Sequence, residues 1–206
     1  MQNLLEKLRA NGFAAHFAAD KKAALEIAKK ELENVASVGF GGSESVKEIG
    51  LFDYAINAAK DGKFTLFNQY EVGITVEENA RRRQQGMLAE AYLTSTNALT
   101  RAGWLVNADG SGNRVAAMIY NGGKVVLVVG RNKVVETLDE AVVRILQVAA
   151  PRNIERLNAA SAAHGKARAW TLENIARKFS VIRSDGESFK GAPRVVIILV
   201  DEDLGY

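Results

Sequence analysis

The sequence predicts an α/β fold of three layers, in which helices cover both faces of a mostly parallel sheet. Short apolar runs alternate with segments of helical period along most of the chain, which is typical of β-α-β units. Two of these runs, residues 124–129 and 194–200, are almost uninterrupted, as in strands that are buried on both faces. With 206 residues, of which 48% are hydrophobic, the chain is long enough to bury a full core. We expect a single α/β domain over residues 1–206.

Two amphipathic helices are predicted at the start of the chain. The first covers residues 3–11 and the second covers residues 21–33, for which Asp20 is a candidate N-cap. Both segments carry apolar side chains at helical spacing. We therefore expect these helices, within about residues 1–33, to pack on the sheet.

Strands and capped helices are then predicted in alternation up to residue 95. Strands are expected at residues 35–40, 64–67 and 92–95. Helices are expected at residues 45–60 and 75–89, each opened by a Ser or Thr with a Glu three residues later. Ser45 and Thr75 are the predicted caps.

A small β-hairpin is predicted to interrupt the alternation. Residues 104–107 and 115–120 have strand character and flank a turn at residues 109–112. The two glycines of that turn can adopt left-handed backbone angles at little cost. The buried strand at residues 124–129 follows and should lie at the centre of the sheet.

The last third of the sequence predicts three helices and a final strand. A capping box at Thr137 opens a helix that should end near Ala149, because Pro151 disfavours a helical residue before it. A new helix can begin at Pro151. Residues 172–179 are predicted as a short helix, residues 181–182 as a brief strand and residues 194–200 as the last buried strand.

The composition excludes several kinds of chemistry. The chain has no cysteine, so it can form no disulfide, thiolate metal site or cysteine nucleophile, and can ligate no iron–sulfur cluster. It has two histidines, His16 and His164, which excludes a metal site built mainly from histidine. We expect no metal site, and the sequence leaves any cofactor unknown.

The charge pattern argues against nucleic acid and membranes as partners. The net charge is +3, and the densest basic cluster, residues 81–83, is flanked by Glu77, Glu78 and Glu90. The longest apolar runs are much shorter than the ~20 residues that span a bilayer. We expect a cytoplasmic protein.

Four loops after predicted strands carry the candidate chemistry, because ligands of open α/β sheets bind beyond the carboxyl ends of the strands. Their shared features are glycines, amides, hydroxyls and cations, and they cover residues 39–43, 94–100, 107–114 and 130–133. Backbone amides of glycine-rich loops and arginine or lysine side chains bind anions. The alternative for each loop is purely structural: a tight turn, a turn that satisfies its own backbone, or an exposed cation. Taken together, the loops predict a small anionic or polyoxygenated ligand.

Acid–base groups are sparse near these loops. Glu48 and Asp109 are the candidates, and neither has a histidine or a second carboxylate at an informative spacing. A Ser-His-Asp arrangement would need His16 or His164 and is not favoured. The pattern therefore predicts a site without specifying a reaction.

In this order, the motifs resemble the LUD domain family, the lactate-utilisation proteins of the YkgG and LutC type. The segments that carry the resemblance lie in the same order over almost the whole chain: residues 38–43, 47–50, 93–100, 103–107, 109–116, 128–135 and 149–157. The resemblance implies an α/β/α fold like that of the NagB/RpiA/CoA transferase-like group, which contains glucosamine-phosphate deaminase, ribose-phosphate isomerase and CoA transferases. It also implies a bacterial system that oxidises L-lactate to pyruvate, with iron–sulfur and oxidase-like partner proteins.

The resemblance further implies a set of ligand-binding positions without an assigned catalytic role. These are Gly41, Gly42, Ser43, Lys47, Glu48, Thr96, Asn97, Asp109, Asn113, Arg114, Asn132 and Lys133. The leading hypothesis is a LUD-type protein that binds a small anionic metabolite or a phosphate- or CoA-containing ligand. The alternatives are a non-catalytic scaffold or regulatory subunit of a lactate-oxidation complex, and a phosphosugar isomerase-like enzyme. The oligomeric state, including a homo-oligomer, stays open.

The sequence departs from the family pattern in two places. Arg101 stands where many members have an acidic residue, which reverses a charge beside the predicted site. Many members have a cysteine cluster near the C-terminus, where this chain has residues 164–170 without cysteine. We expect any electron carrier to belong to a partner.

Overall fold

A parallel sheet of six strands forms the centre of the computed structural model, which describes residues 1–163 and 169–206. The strands of the described chain are β1 Ala14–Ala18, β2 Ser37–Phe40, β3 Thr65–Phe67, β4 Ala91–Thr94, β5 Ala98–Thr100, β6 Leu105–Asp109, β7 Lys124–Gly130, β8 Val134–Val135, β9 Lys178–Ile182, β10 Ser188–Phe189, β11 Ala192–Pro193 and β12 Val195–Val200. The central sheet has the order β1-β12-β7-β4-β2-β3, and all its neighbours are parallel. The predicted α/β fold with a mostly parallel sheet is therefore confirmed.

Helices cover both faces of this sheet. They are α1 Gln2–Ala10, α2 Lys21–Glu31, α3 Glu44–Glu48, α4 Leu51–Lys60, α5 Val76–Met87, α6 Asn113–Ile119, α7 Leu138–Arg144, α8 Ala150–Ala163 and α9 Leu172–Ile175. Alternate residues of β7 and β12 face two separate apolar clusters, as the period of a strand requires. The first cluster includes α2, α3 and α4, and the second includes α1 and α6.

A smaller sheet, β8-β5-β6-β9, lies against the second face of the central sheet. Leu99 of β5 and Leu105 of β6 pack on that face, whereas Ala98 and Val106 pack on α7. The smaller sheet is therefore covered on both sides, although it is not part of the parallel sheet.

The predicted hairpin is wrong in its second strand. Residues 115–120 are helical for most of their length, within α6, and the strand β6 instead pairs in antiparallel register with β5 and β9. The left-handed Gly112, with φ of 96°, starts the helix. Helical spacing brings Val115 and Met118 to one buried face, and two alanines between them favour this conformation.

The predicted cap at Ser45 is also wrong. Ser43 caps α3 by accepting a hydrogen bond from the Val46 N–H at 3.2 Å, and Ser45 lies inside the helix with a buried side chain. A left-handed Gly50 then separates α3 from α4 within the predicted single helix. The caps at Asp20 and Thr75 are confirmed by their hydrogen bonds to the N–H groups of Ala23 and Glu78.

The helix predicted to end near Ala149 continues through Pro151. A π-helical turn over Ile145–Ala149 joins α7 to α8, and the Ala150 N–H bonds to the carbonyl of Ile145. The wider turn changes the bonding register just before Pro151, which has no N–H to donate. The chain therefore stays helical where the sequence predicts a break.

The structure differs from the sequence-based expectation in two further segments. The edge strand β1 has no counterpart among the predicted strands, because its three alanines have little intrinsic strand preference. Parallel pairing with β12 stabilises this strand. The helix predicted at residues 172–179 ends at Ile175, and β9 begins at Lys178.

Candidate functional site

A cleft of about 760 Å³ opens at the carboxyl edge of the central sheet. The loops after β2 and β4 line it at the point where the chain changes direction across the sheet. From β2 the chain continues to the neighbour on one side, β3, and from β4 the next strand of this sheet is the neighbour on the other side, β7. The two loops therefore diverge, and crevices at such switch points are where open α/β sheets bind ligands.

Basic side chains outnumber carboxylates in the described lining of the cleft. Five are basic, namely Arg83, Arg114, Lys133, Arg156 and Arg177, and two are acidic, namely Glu44 and Asp109. A concave surface with this excess of positive charge attracts anions.

Eight of the twelve predicted ligand-binding positions line the cleft. They are Gly42, Ser43, Thr96, Asn97, Asp109, Asn113, Arg114 and Lys133. All four predicted loops contribute to these eight positions, and the fourth loop contributes only Lys133. Gly41 is adjacent to them, and its backbone packs so closely that a Cβ there would lie 2.5 Å from Thr94 Oγ1.

Arg114 supports the cleft by bonding to the protein itself. Its guanidinium donates to the side-chain oxygens of Asn97 at 2.8 Å and Asn107 at 2.7 Å, and to the carbonyls of Ser95 and Ala108. Its Nε lies 3.7 Å from a carboxylate oxygen of Asp109. Because its donors are already engaged, Arg114 orders the surrounding loops and has little capacity left for a ligand.

The amides and hydroxyls around Arg114 are ordered by the same network. Asn97 Oδ1 also accepts the Ala108 N–H at 3.0 Å, whereas its Nδ2 has no partner among the described residues. Thr96 Oγ1 lies within hydrogen-bond distance of the Ala98 and Val106 carbonyls. Of these groups, Asn97 Nδ2 keeps a donor for a ligand.

Asp109 is the acid–base candidate that lines the cleft. One of its carboxylate oxygens accepts the Gly112 N–H at 2.9 Å, and the other faces Arg114.

Glu48 lies in a neighbouring cavity of about 440 Å³, together with Asn132. Both bind the backbone at residues 204–205, with Glu48 accepting the Gly205 N–H at 3.1 Å. Glu48 and Asn132 therefore bind the C-terminal segment instead of lining the cleft.

Lys133 is buried at the cleft in a 3₁₀ turn after β7, with 4% of its surface exposed. Its Nζ donates to Ser45 Oγ at 2.9 Å and to Ser95 Oγ at 3.0 Å. Burial, and after it the positive charges of Arg144 and Arg114, lower the pKa of this amine to about 7. A substantial fraction of Lys133 is therefore uncharged at neutral pH.

Arg83 is a site residue that the sequence did not predict. Its guanidinium donates to Asn79 Oδ1 and Ser111 Oγ, and its buried Nε has no partner in the described part of the chain. The basic cluster around it predicts a solvated face, which describes Arg81, whose side chain is 62% exposed and paired with Glu78. The spacing could have identified it, because residues 75, 79 and 83 share one helix face and line the cleft.

Two other predicted residues lie outside the cleft. Lys47 is on the surface of α3, where its Nζ pairs with Glu44 at 3.0 Å. Arg101 is exposed and pairs with Glu136, and it is not part of the cleft lining. Its reversed charge therefore does not face the cleft. His164 and most of the segment 164–170 lie outside the described residues.

Apolar side chains also line the cleft. The π-helical turn contributes Ile145 and Ala149, and Leu157 and Ile175 add to this apolar surface. Tyr206, whose hydroxyl accepts from Arg156 Nε at 2.8 Å, also lines the cleft. The cleft therefore combines basic and polar groups with apolar side chains, as small-molecule sites do.

Two features are absent from residues 1–163 and 169–206. No group of three or more His, Asp or Glu side chains in this part of the chain could hold a metal ion. No helix in it is long and apolar enough to cross a membrane.

Comparison with known proteins identifies one family. The LUD domain family model matches residues 1–182. A crystal structure of a DUF162 family protein from Deinococcus radiodurans is similar over 97% of this chain and 94% of that chain, with 15% identity and a TM-score of 0.47. No curated protein matches the sequence.

Proposed function

Because the chain belongs to the LUD domain family, we propose that it binds a small anionic metabolite in the cleft, as a component of L-lactate utilisation. The ligand is a 2-hydroxy or 2-oxo acid, or a compound that contains phosphate or CoA. The observation that carries the proposal is the excess of basic side chains in the cleft, five against two carboxylates.

The anion would contact the cations that the fold leaves incompletely bonded. Arg114 is engaged by four protein hydrogen bonds, whereas Arg83 keeps a buried Nε without a partner in the described chain. A buried, unpartnered donor costs free energy until a ligand accepts its hydrogen bond. Arg83 is therefore the residue on which we base the test.

The first experiment is a ligand screen by thermal shift, followed by isothermal titration calorimetry of each hit. The panel contains sugar phosphates, CoA esters, nucleotides and 2-hydroxy and 2-oxo acids. A ligand that binds only the folded state raises the midpoint of unfolding. We expect at least one anionic compound to do so, and its absence from a panel measured on well-folded protein would count against the proposal.

Arg83→Ala should weaken the binding of that compound by about ten- to a hundredfold, because a charge-assisted hydrogen bond contributes about 1.5 to 3 kcal/mol. The matched control is Arg81→Ala on the same helix, since Arg81 is paired with Glu78 outside the cleft. Calorimetry should show an unchanged dissociation constant for the control. Equal effects of the two substitutions would place the ligand elsewhere and would contradict the proposed site.

A further inference from the structure

Among the described residues, the hydrogen bonds around Lys133 leave one face of its amine without a protein partner. Ser45 Oγ is within hydrogen-bond distance of the Leu204 carbonyl, and Ser95 Oγ lies 2.6 Å from the Val128 carbonyl. Each hydroxyl thus donates a hydrogen bond to a backbone carbonyl oxygen and accepts a hydrogen bond from Lys133 Nζ. An uncharged amine has two hydrogens, which these two bonds use, so its lone pair is directed away from both serines.

No carboxylate forms an ion pair with Lys133 in the described part of the chain, although its side chain lines a basic cleft. The charged groups that act on it from the packed elements are Arg144 of α7, Arg114 of α6 and Glu48 of α3. Two of the three are cations, which favour the uncharged amine, as in lysine nucleophiles that sit beside other cations.

The same bonds argue against either serine as the nucleophile. A serine activated by lysine must give its proton to the amine, whereas the protons of Ser45 and Ser95 face backbone carbonyls. The lysine nitrogen is the more available nucleophile of the three groups.

We propose that Lys133 Nζ forms an imine with the carbonyl group of an anionic ligand held in the cleft. The ligand class is a carbonyl compound with a carboxylate or phosphate, that is, a 2-oxo acid or a phosphorylated aldose or ketose. This inference rests on the proposed anion-binding function, which supplies the charge that selects the ligand.

The chemistry balances without an added oxidant or reductant. The nitrogen lone pair attacks the carbonyl carbon, and the electron pair of the C=O double bond moves to oxygen. Both amine hydrogens leave with that oxygen as water when the C=N bond forms. The hydroxyls of Ser45 and Ser95, each about 3 Å from the nitrogen, can carry these protons.

The test is reductive trapping with cyanoborohydride, which adds hydride to an imine and makes the bond permanent. Pyruvate and dihydroxyacetone phosphate are the two anionic probes, and dihydroxyacetone is the uncharged one. Trapped pyruvate adds the mass of pyruvic acid less one oxygen atom. Peptide mapping by mass spectrometry should find the adduct of pyruvate or dihydroxyacetone phosphate on Lys133 ahead of the exposed lysines. The better of these two probes shows whether the cleft selects a carboxylate or a phosphate.

Trapping on Lys133 should be about tenfold faster near pH 8 than near pH 6, because the uncharged fraction of an amine with a pKa of about 7 changes by that factor. Lys133→Arg keeps a cation but removes the nucleophile, and it should abolish this label. Lys124→Arg is the matched control, since Lys124 starts β7, the strand that precedes the turn of Lys133, and is paired with Glu31. Lys133→Met provides a second variant if arginine does not fit. Peptide mapping of the unmodified protein tests the proposal even if neither variant folds.

The outcomes separate this inference from the proposed function. Adducts spread over exposed lysines, with none on Lys133, would overturn it. So would calorimetric binding of pyruvate or dihydroxyacetone phosphate without trapping on Lys133, and in that case the anion-binding function would stand. Labelling of Lys133 by dihydroxyacetone as fast as by both anionic probes would support the imine chemistry and contradict selection by charge.

Discussion

Arg114 and Lys133 line the same cleft but differ in the hydrogen bonds that the protein makes to them. The guanidinium of Arg114 is planar, and its donors match the oxygens of Asn97, Asn107 and two carbonyls. The amine of Lys133 meets only two hydroxyl oxygens in the described chain. The protein therefore compensates the charge of Arg114 with hydrogen bonds, whereas burial favours loss of the proton at Lys133.

The titration of Lys133 predicts how stability depends on pH. Its pKa is about 7 in the folded protein and near 10.5 in the unfolded chain, so between these values the unfolded chain binds the extra proton. The free energy of unfolding should therefore rise with pH across this window, by at most about 1.4 kcal/mol per pH unit from this group. Below pH 7 the folded protein carries the buried charge and is less stable.

Urea unfolding near pH 7 and near pH 9 measures this effect. The difference in free energy between the unmodified protein and Lys133→Met should grow in favour of the unmodified protein as pH rises. Arg144, Arg114 and Glu48, the charged groups around Lys133, are present in both proteins and do not contribute to the change. An identical difference at both pH values would mean that Lys133 keeps its ordinary pKa.

At the scale of elements, the contact of β2 with α5 sets the position of the cleft wall. A Cβ on Gly39 would lie 2.2 Å from the carbonyl oxygen of Gly86, so the strand and the helix touch backbone to backbone. α5 carries Asn79 and Arg83 into the cleft. Gly39 and Gly86 thus determine how closely α5, and with it Arg83, approaches the sheet.

Gly39→Ala should push α5 away from the sheet. We expect a loss of about 1 to 3 kcal/mol in the free energy of unfolding, as for overpacked cores, and weaker binding of the anion because Arg83 moves with the helix. Gly122→Ala is the control, since a Cβ at that position meets nothing within 4 Å. Chemical denaturation and calorimetry of both variants check the prediction, which fails if their stabilities are equal.

At the scale of the whole molecule, the two edges of the central sheet are built differently. The carboxyl edge holds the cleft and its incompletely bonded cations. The amino edge is closed by a buried ion pair between Arg194, 4% exposed, and Asp185, 8% exposed. Arg194 also donates to the Met118 carbonyl, and the Asp185 N–H donates to the Asn11 carbonyl, which joins the segments before β12, β7 and β1.

Asp185→Ala should lower the free energy of unfolding by about 3 to 5 kcal/mol, because it leaves the charge of Arg194 buried without its partner. The double variant Asp185→Leu with Arg194→Met should lose less than the sum of the two single changes. The control is Asp203→Ala, whose partner Arg131 is exposed, and its cost should stay below about 1 kcal/mol. Urea denaturation measures all of these, and a small effect of Asp185→Ala would show that Arg194 is solvated.

The central strands and most of the cleft could be predicted, because their signals are local. The apolar runs of β7 and β12 can be buried only as inner strands, and the loops that contain residues 42–43, 96–97 and 113–114 follow strands or turns in the chain. α6 could not be assigned in the same way, because its apolar and small residues fit a short strand or a short helix equally well.

The sequence by itself determined the alternation of strands and helices, the edge of the sheet at which polar loops collect and the absence of cysteine chemistry. Only the tertiary structure decided which of the polar residues have groups to spare for a ligand. The donors of Arg114 bond to the protein, and Glu48 and Asn132 bind the C-terminal segment. Arg83 lies at the cleft with an unpartnered Nε in the described chain, and Lys133 is buried between two serines. The reason is physical: the partners of a side chain are set by contacts between residues far apart in the chain, such as Ser45 and Lys133, and no local spacing encodes them.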